Sequence, residues 1–261
     1  MCRHLGYLGP ARSIASVLTA GEHSLRAQSW APRHMRGGGT MNADGFGACW
    51  WGASGVSRHR SAQPIWSDTA LGETGAARGV LEDVSAGAVL AAVRSATVGM
   101  PVTEEACAPF TDGHWAFSHN GVVRGWPGSM AQLAGELDLA DTVALDAPTD
   151  SALLWALLRG RLRGETPAAA VRGLVEDVEA VAPGSRLNLL LGDGQRLIAT
   201  AWDHSLWWRR GASEVVGGEV GSSELWVASE PLDERPDWTE VPDRCLLIAD
   251  LTQTTIEQIG E

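Results

Sequence analysis

The sequence predicts an α+β fold, a single domain over residues 1–261. Strand-like and helix-like stretches segregate along it rather than alternate, which argues against a doubly wound sheet. The two strongest helical patterns are neighbours, near residues 152–181, and only strand patterns follow them. No repeat or linker-like stretch divides the chain, and its 44% apolar and 20% charged content is ordinary for a globular protein.

Residues 5–8 read as a short strand that buries the N-terminal end. Residues 10–20 follow as a helix, with Ile14, Val17 and Leu18 on one face and Pro10 in its first turn. Residues 24–33 read as extended, with Pro32 restricting Ala31. Residues 36–40, with three consecutive glycines, read as a flexible loop. A turn at residues 42–47 leads into a strand at Phe46–Gly52. Residues 52–79 are rich in Gly, Ser and Ala and read as loop with a little helix. The later part of residues 89–98 reads as a strand carrying Arg94. Residues 115–119 alternate as a strand, and Asn120-Gly121 after them is a turn signal. Residues 128–137 read as a short helix.

Thr149-Asp150-Ser151 caps a helix at residues 152–162, striped by Leu153, Leu154, Leu157 and Leu158. A second helix at residues 166–181 ends at Pro183-Gly184, and the two are expected to pack as a pair. Residues 187–191 and 196–202 form a hairpin about Gly192-Asp193-Gly194. Strands follow at residues 206–209, 225–228, 246–248 and 254–259.

A formal net charge of −12 argues against a nucleic-acid partner and against binding to anionic membranes, both of which need clustered basic residues. The chain has no lysine, so its basic residues are Arg and His. The first stretch lacks the basic, apolar, small-residue order of a signal peptide, and no run has the length of a membrane helix. The four cysteines (Cys2, Cys49, Cys107, Cys245) form no C-x-x-C pair, and reduced thiols in a cytoplasmic protein are expected. No metal or cofactor is expected: Cys2-Arg3-His4 offers two ligands where a tetrahedral site needs four. Twelve Trp against one Tyr and three Phe is a skew that core packing explains for most of them. A cation–π cage for a quaternary ammonium ligand is the functional alternative.

Cys2 directly follows Met1. Removal of Met1 would put a thiol and a free α-amine on one residue, a nucleophile and its base together. Their ordinary pKa values, about 8.5 and about 7.7–8.0, make proton transfer between them cheap. The mature protein is therefore expected to start at Cys2. Read singly, the other candidates have bland accounts: a surface ion pair for Arg94, strand propensity for Thr97, a hairpin turn for Asn120-Gly121 and a helix cap for Asp150.

As an ordered set these residues resemble the class II glutamine amidotransferases, which are N-terminal-nucleophile (Ntn) hydrolases. Met1-Cys2, Asn42-Ala43-Asp44-Gly45-Phe46-Gly47, Arg94-Ser95-Ala96-Thr97, Pro109-Phe110, His119-Asn120-Gly121 and Thr149-Asp150-Ser151 come in the family's order over most of the chain. The resemblance implies an αββα sandwich of two antiparallel sheets. It implies Cys2 as nucleophile, with the Asn120 side chain and the Gly121 backbone N–H as oxyanion donors. Arg94 and Thr97 would hold the substrate's α-carboxylate, and Asp150 its ammonium. Ser95 and Val98 depart from the Trp and His common at these places, which puts free glutamine in doubt as the substrate. The opening nine residues, Gln28-Ser29-Trp30-Ala31-Pro32 and Ser229-Glu230-Pro231 resemble stand-alone γ-glutamyl hydrolases. That group includes enzymes acting on γ-glutamyl-hercynylcysteine S-oxide in ergothioneine biosynthesis and a sister group degrading glutathione. Trp30 is the candidate wall for a trimethylammonium group. A glutaminase subunit feeding ammonia to a partner and a non-catalytic γ-glutamyl-binding module are the alternatives. No role is assigned to Ser229-Glu230-Pro231, which a strand-ending turn also explains.

Overall fold

The computed structural model describes residues 2–35, 41–72, 78–212 and 223–260. The first half of the chain runs β1 (Arg3–Ser13), α1 (Ile14–Leu18), α2 (Leu25–Gln28), β2 (Phe46–Gly52), β3 (Gly55–Ser61), α3 (Val80–Asp83), β4 (Ser85–Val93), β5 (Phe110–Thr111) and β6 (Ala116–Val122). Helices α4 (Ala131–Ala134), α5 (Leu139–Val143), α6 (Asp150–Arg161) and α7 (Pro167–Val181) follow. The remainder is β7 (Arg186–Gly192), β8 (Arg196–Ala201), β9 (Trp207–Ala212), β10 (Ser223–Ala228), β11 (Thr239–Glu240), β12 (Cys245–Asp250) and β13 (Thr254–Gln258).

The strands form two antiparallel sheets, a seven-stranded one ordered β11-β9-β10-β1-β4-β2-β3 and a six-stranded one ordered β13-β12-β8-β7-β6-β5. Their inner faces meet through Leu8, Leu90 and Val227 of the first sheet and Leu190, Leu197 and Leu247 of the second. On the outer face of the second sheet, α6 and α7 bury Leu154, Leu158, Val171 and Val175. On the outer face of the first, α1 buries Ile14, Val17 and Leu18 against Leu5 and Tyr7 of β1. The result is the expected αββα sandwich. Each buried leucine contributes about 1.5–3 kcal/mol, so these three apolar layers hold the sheets face to face.

The long helices obey their caps. Thr149 Oγ1 accepts from Ala152 N–H at 3.2 Å to start α6, and Thr166 caps α7 with Pro167 in its first turn. Both strands of the β7–β8 hairpin are as expected. Several local expectations fail. Strand β1 runs on through Pro10 to Ser13, where a helix was expected to begin; a register shift between Leu8 and Arg12 gives Pro10 the bulge that strands tolerate. Residues 24–33 are not extended, because the Ser24 hydroxyl accepts from Ala27 N–H at 3.3 Å and caps α2. The stretch 52–79 contains β3, an edge strand whose polar residues hid it. Strand β4 stops one residue short of Arg94. Asn120-Gly121 is not a turn but lies inside β6, paired to Asn188 and Leu187. The glycine-rich stretch 36–40 lies outside the described residues.

β1 alternates between layers. Leu5 and Tyr7 enter the helical layer, whereas Leu8 enters the gap between the sheets. His4 shares the gap-facing parity and is fully buried with no partner for either ring nitrogen among the described residues. Burial, then the nearby His119 and Arg3, lowers its pKa to about 3. A neutral buried His4 takes up no proton as pH falls below its ordinary value of about 6.5, whereas the unfolded chain does. The site therefore costs stability progressively between pH 6.5 and 3, at about 1.4 kcal/mol per pH unit. Thermal melts at pH 7.5 and pH 4.5, about two units apart along this slope, should show a smaller acid loss in His4→Phe than in the wild type. Equal losses would place the acid sensitivity elsewhere.

Candidate active site

Cys2 sits immediately before β1, whose Arg3 pairs with Val93 at the end of β4. That register brings Cys2 alongside the start of the loop after β4, with its Sγ 4.0 Å from the Ser95 carbonyl oxygen. Cys2 is partly exposed, and the other three cysteines are buried. Burial pushes the Cys49 thiol up to about 12 and the Cys107 thiol up to about 11, and also raises Cys245. None of these three is disposed to form a thiolate. Cys107 instead donates to the Ser61 and Thr103 carbonyls at 3.4 Å, fastening the loop beneath residues 42–47.

The turn at residues 42–47 clamps the Arg94 loop. Asp44 N–H donates to the Arg94 carbonyl at 3.0 Å, Arg94 N–H to the Gly45 carbonyl at 2.8 Å, and Ala96 N–H to the Asp44 carboxylate at 2.8 Å. Arg94 is buried, at 8% exposure, and one of its Nη atoms donates to the Pro101 carbonyl at 2.8 Å. No carboxylate among the described residues pairs with it. A buried guanidinium with a single carbonyl partner retains donors for an anion. Thr97 and Val98 lie farther along the same loop and are exposed.

The opposite wall comes from the second sheet. In β6, Phe117 enters the helical layer and Ala116 enters the gap, so Asn120 shares the gap-facing parity. Cys2 has the same parity as Leu8 on β1, which packs against β6, so by alternation both Cys2 and Asn120 lie on the gap side of their sheets. Asn120 is fully buried, and its Nδ2 donates to Ser229 Oγ at 3.0 Å. Gly121 follows where a Cβ would come within 1.8 Å of the Arg186 carbonyl and 2.5 Å of His119 Nε2. Asp150 opens α6 just beyond β6. Its carboxylate accepts from Val123 N–H at 3.1 Å and Ser151 N–H at 2.8 Å, and the helix cap is Thr149 rather than Asp150. An ionised carboxylate has about four acceptor positions, so Asp150 keeps capacity for an ammonium.

Arg3 and Glu230 carry structure that residue-by-residue reading gave no role. Arg3 is fully buried beside the Glu230 carboxylate, with Nε 3.8 Å from Oε2. Burial lowers its pKa and Glu230 opposes the shift. Its Nη atoms reach the Cys2 carbonyl at 3.2 Å, His204 Nε2 at 3.2 Å and the His34 carbonyl at 2.9 Å. Glu230 accepts from His34 N–H at 2.8 Å, so the pair ties the loop at residues 33–35 to the Cys2 carbonyl. Trp30, 45% exposed and edge-on to Trp66 at 5.8 Å, stands on that loop, and the neighbouring Ser29 carbonyl accepts from Asn42 N–H at 2.7 Å. A cleft of about 510 Å³ lined by Leu8, Gly87, Arg196 and Gln253 lies toward the other end of β1 and includes none of these residues.

Gly121→Ala tests the closeness of this wall. The added methyl has no room, and the variant should lose about 1–3 kcal/mol or more of stability, read as a lower urea midpoint at unchanged slope. An unchanged midpoint would mean that β6 and β7 part without cost.

Residues 19–212 match the family model for glutamine amidotransferases class-II. The chain is 38% identical over 248 residues to the gamma-glutamyl-hercynylcysteine sulfoxide hydrolase of Mycolicibacterium smegmatis, covering 95% of each. It is 28% identical to a probable glutamine amidotransferase of Saccharomyces cerevisiae, covering 95% of this chain and 81% of the yeast protein. Among solved structures it resembles a glutamine aminotransferase class-II domain protein from Silicibacter pomeroyi, with TM-score 0.67 and 21% identity over 99% of this chain and 100% of that one. It also resembles the glutamine phosphoribosylpyrophosphate amidotransferase of B. subtilis, with TM-score 0.66 and 16% identity over 99% of this chain and 49% of that one. At these identities the two structures speak for the fold alone.

Proposed function

Because the chain belongs to the class II glutamine amidotransferases, we propose that it is a cysteine-dependent γ-glutamyl amide hydrolase, working as a single catalytic domain in the cytoplasm. Its substrate is γ-glutamyl-hercynylcysteine S-oxide, released as glutamate and hercynylcysteine S-oxide. The observation that carries this reading is the 38% identity to a hydrolase of that name across 95% of both chains. The structure supports the glutamyl half of it, since the underpaired Arg94 lies on the loop that begins beside Cys2.

With Met1 removed, the Cys2 α-amine takes the thiol proton, through a water, as Sγ attacks the γ-carbonyl carbon. The carbonyl oxygen becomes an oxyanion, held by the Asn120 side chain and the Gly121 N–H; one such donor is typically worth about 10²–10³ in turnover. Collapse breaks the C–N bond, and the leaving amine takes the proton from the α-amine. Water then hydrolyses the thioester, giving glutamate and free Cys2. Arg94 forks onto the α-carboxylate with Thr97 beside it, and Asp150 takes the ammonium. No metal or cofactor enters these steps. No helix among the described residues is long and apolar enough to cross a membrane. The net charge of −12 speaks against a nucleic-acid partner.

A trimethylammonium group cannot donate a hydrogen bond, so aromatic faces must recognise it, and Trp30 is the candidate. One desolvated cation–π contact of about 2 kcal/mol gives roughly 30-fold discrimination. The test is kcat/KM for the sulfoxide, glutathione and glutamine on one preparation, without partner protein or ATP, with its intact mass recorded. The expected result is a preference of roughly 30-fold or more for the sulfoxide, in protein lacking Met1. Cys2→Ala should be inactive, and Cys107→Ala should keep the chemistry. Preference for glutathione would move the chain to peptide degradation, and preference for glutamine to ammonia supply. Full activity with Met1 retained would end the terminal-amine mechanism. A second comparison separates binding from chemistry. Arg94→Lys keeps the charge but loses the fork, and should cost about 1.5–3 kcal/mol in kcat/KM. A loss below twofold would remove the carboxylate from Arg94.

A further inference from the structure

Ser229 lies just past the end of β10 and is fully buried. Its Oγ accepts from His4 N–H at 3.0 Å and from Asn120 Nδ2 at 3.0 Å. Its backbone N–H donates to the His4 carbonyl at 3.1 Å, and its own carbonyl accepts from Ser205 Oγ at 2.9 Å. Ser205 in turn is fixed by Asn188, which lies directly opposite Asn120 on β7 and donates to the Ser205 carbonyl at 2.9 Å. One hydroxyl thus crosses the gap between the sheets. It joins the strand that begins at the nucleophile to the side chain that faces it.

The donor count at this hydroxyl is informative. A serine hydroxyl offers one donor and two acceptor positions. Both acceptor positions are filled, while among the described residues its own proton reaches only the His4 carbonyl, at 3.4 Å. Asn120 meanwhile leaves Oδ1 buried with no partner among the described residues. Such an orphan acceptor costs about 1–3 kcal/mol. Turning the amide over by 180° gives Oδ1 a donor and the Ser229 proton an acceptor, and puts the amide nitrogen where the orphan stood, as a donor that is satisfied when an acceptor enters the gap. The same 3.0 Å contact becomes Ser229 O–H to Asn120 Oδ1, and the amide nitrogen keeps both hydrogens for the gap.

We propose that Ser229 is a positioning residue for the oxyanion donor. It anchors the Asn120 amide to the strand of Cys2, and in the working enzyme it donates to Oδ1 so that Nδ2 faces the oxyanion. This rests on Asn120 being that donor. Ser229 touches no substrate, so its loss reaches the reaction only through Asn120. Without the hydroxyl, the amide is free to rotate and to drift, and a misplacement of about 1 Å costs up to about 100-fold.

The test is a double-mutant cycle on the best substrate of the three amides above. Ser229→Ala should lower kcat by about 10- to 100-fold and leave KM within about twofold. In the Asn120→Ala background the same change should cost less than about twofold more, because interacting groups are not additive. Multiplying losses, or a rise in KM at unchanged kcat, would overturn the proposal. If Ser229→Ala does not fold, by its thermal melt, Ser229→Cys enters the same cycle with the same expectations. Asn120→Ala with unchanged kcat would instead remove the oxyanion assignment, a failure that the single mutant reveals by itself.

Discussion

β1 is hydrogen-bonded on both sides, to β10 with Leu5 opposite Ala228 and to β4 with Arg3 opposite Val93. This double register decides which of its side chains face the gap between the sheets. A slip by one residue would exchange the two sets. Cys2 would turn to the helical layer, and Arg3 would enter the gap stripped of Glu230 and the His34 carbonyl. The register is held by burial on both faces. Leu5 and Tyr7 have no exposure, and Gly6 lies so close to Leu197 that a Cβ there would come within 2.8 Å of it. Fixing Cys2 in place costs conformational entropy. The length of β1 offsets that cost by ordering the residues just after it.

Two buried arginines near Cys2 have opposite electrostatic situations. Arg3 is neutralised by Glu230 and spends its remaining donors on the Cys2 and His34 carbonyls. Removing Glu230 would leave an uncompensated buried charge, which is strongly destabilising. Arg94 has a carbonyl and no carboxylate among the described residues. Arg94 therefore keeps guanidinium donors unspent. The two differ in their partners, though in sequence they are the same residue type.

That difference explains what the sequence could and could not reveal. The helices α6 and α7 were legible because Thr149 and Thr166 cap them and their apolar stripes repeat at helical spacing. The order of Cys2, Arg94, Asn120-Gly121 and Asp150 was legible as a family pattern. Strand β3 was not, since an edge strand reading Gly-Val-Ser-Arg-His-Arg-Ser lacks alternation. Neither were the roles of Ser229 and Glu230. Their segment carries a family resemblance, but their partners, His4, Asn120, Arg3 and His34, lie more than a hundred residues away, so no local pattern says what they hold. Pro10 and Ser24 misled for a related reason: a bulge and a cap depend on neighbours that propensity does not include.

The Asn-Gly pair in β6 joins these points. Locally it favours a tight turn, and glycine weakens a strand by its entropy. The fold overrides both preferences. Gly121 is required because the Arg186 carbonyl occupies the space of a Cβ, and Asn120 is held straight by a hydroxyl from the other sheet. A sequence that breaks a local rule inside a well-paired strand does so where another demand is stronger. Here the demands are the Arg186 carbonyl, which leaves no room for a Cβ at 121, and the Ser229 hydroxyl, which takes up the amide at 120. By propensity alone alanine or valine would suit a strand better at either position, but neither fits at 121 and neither supplies an amide at 120.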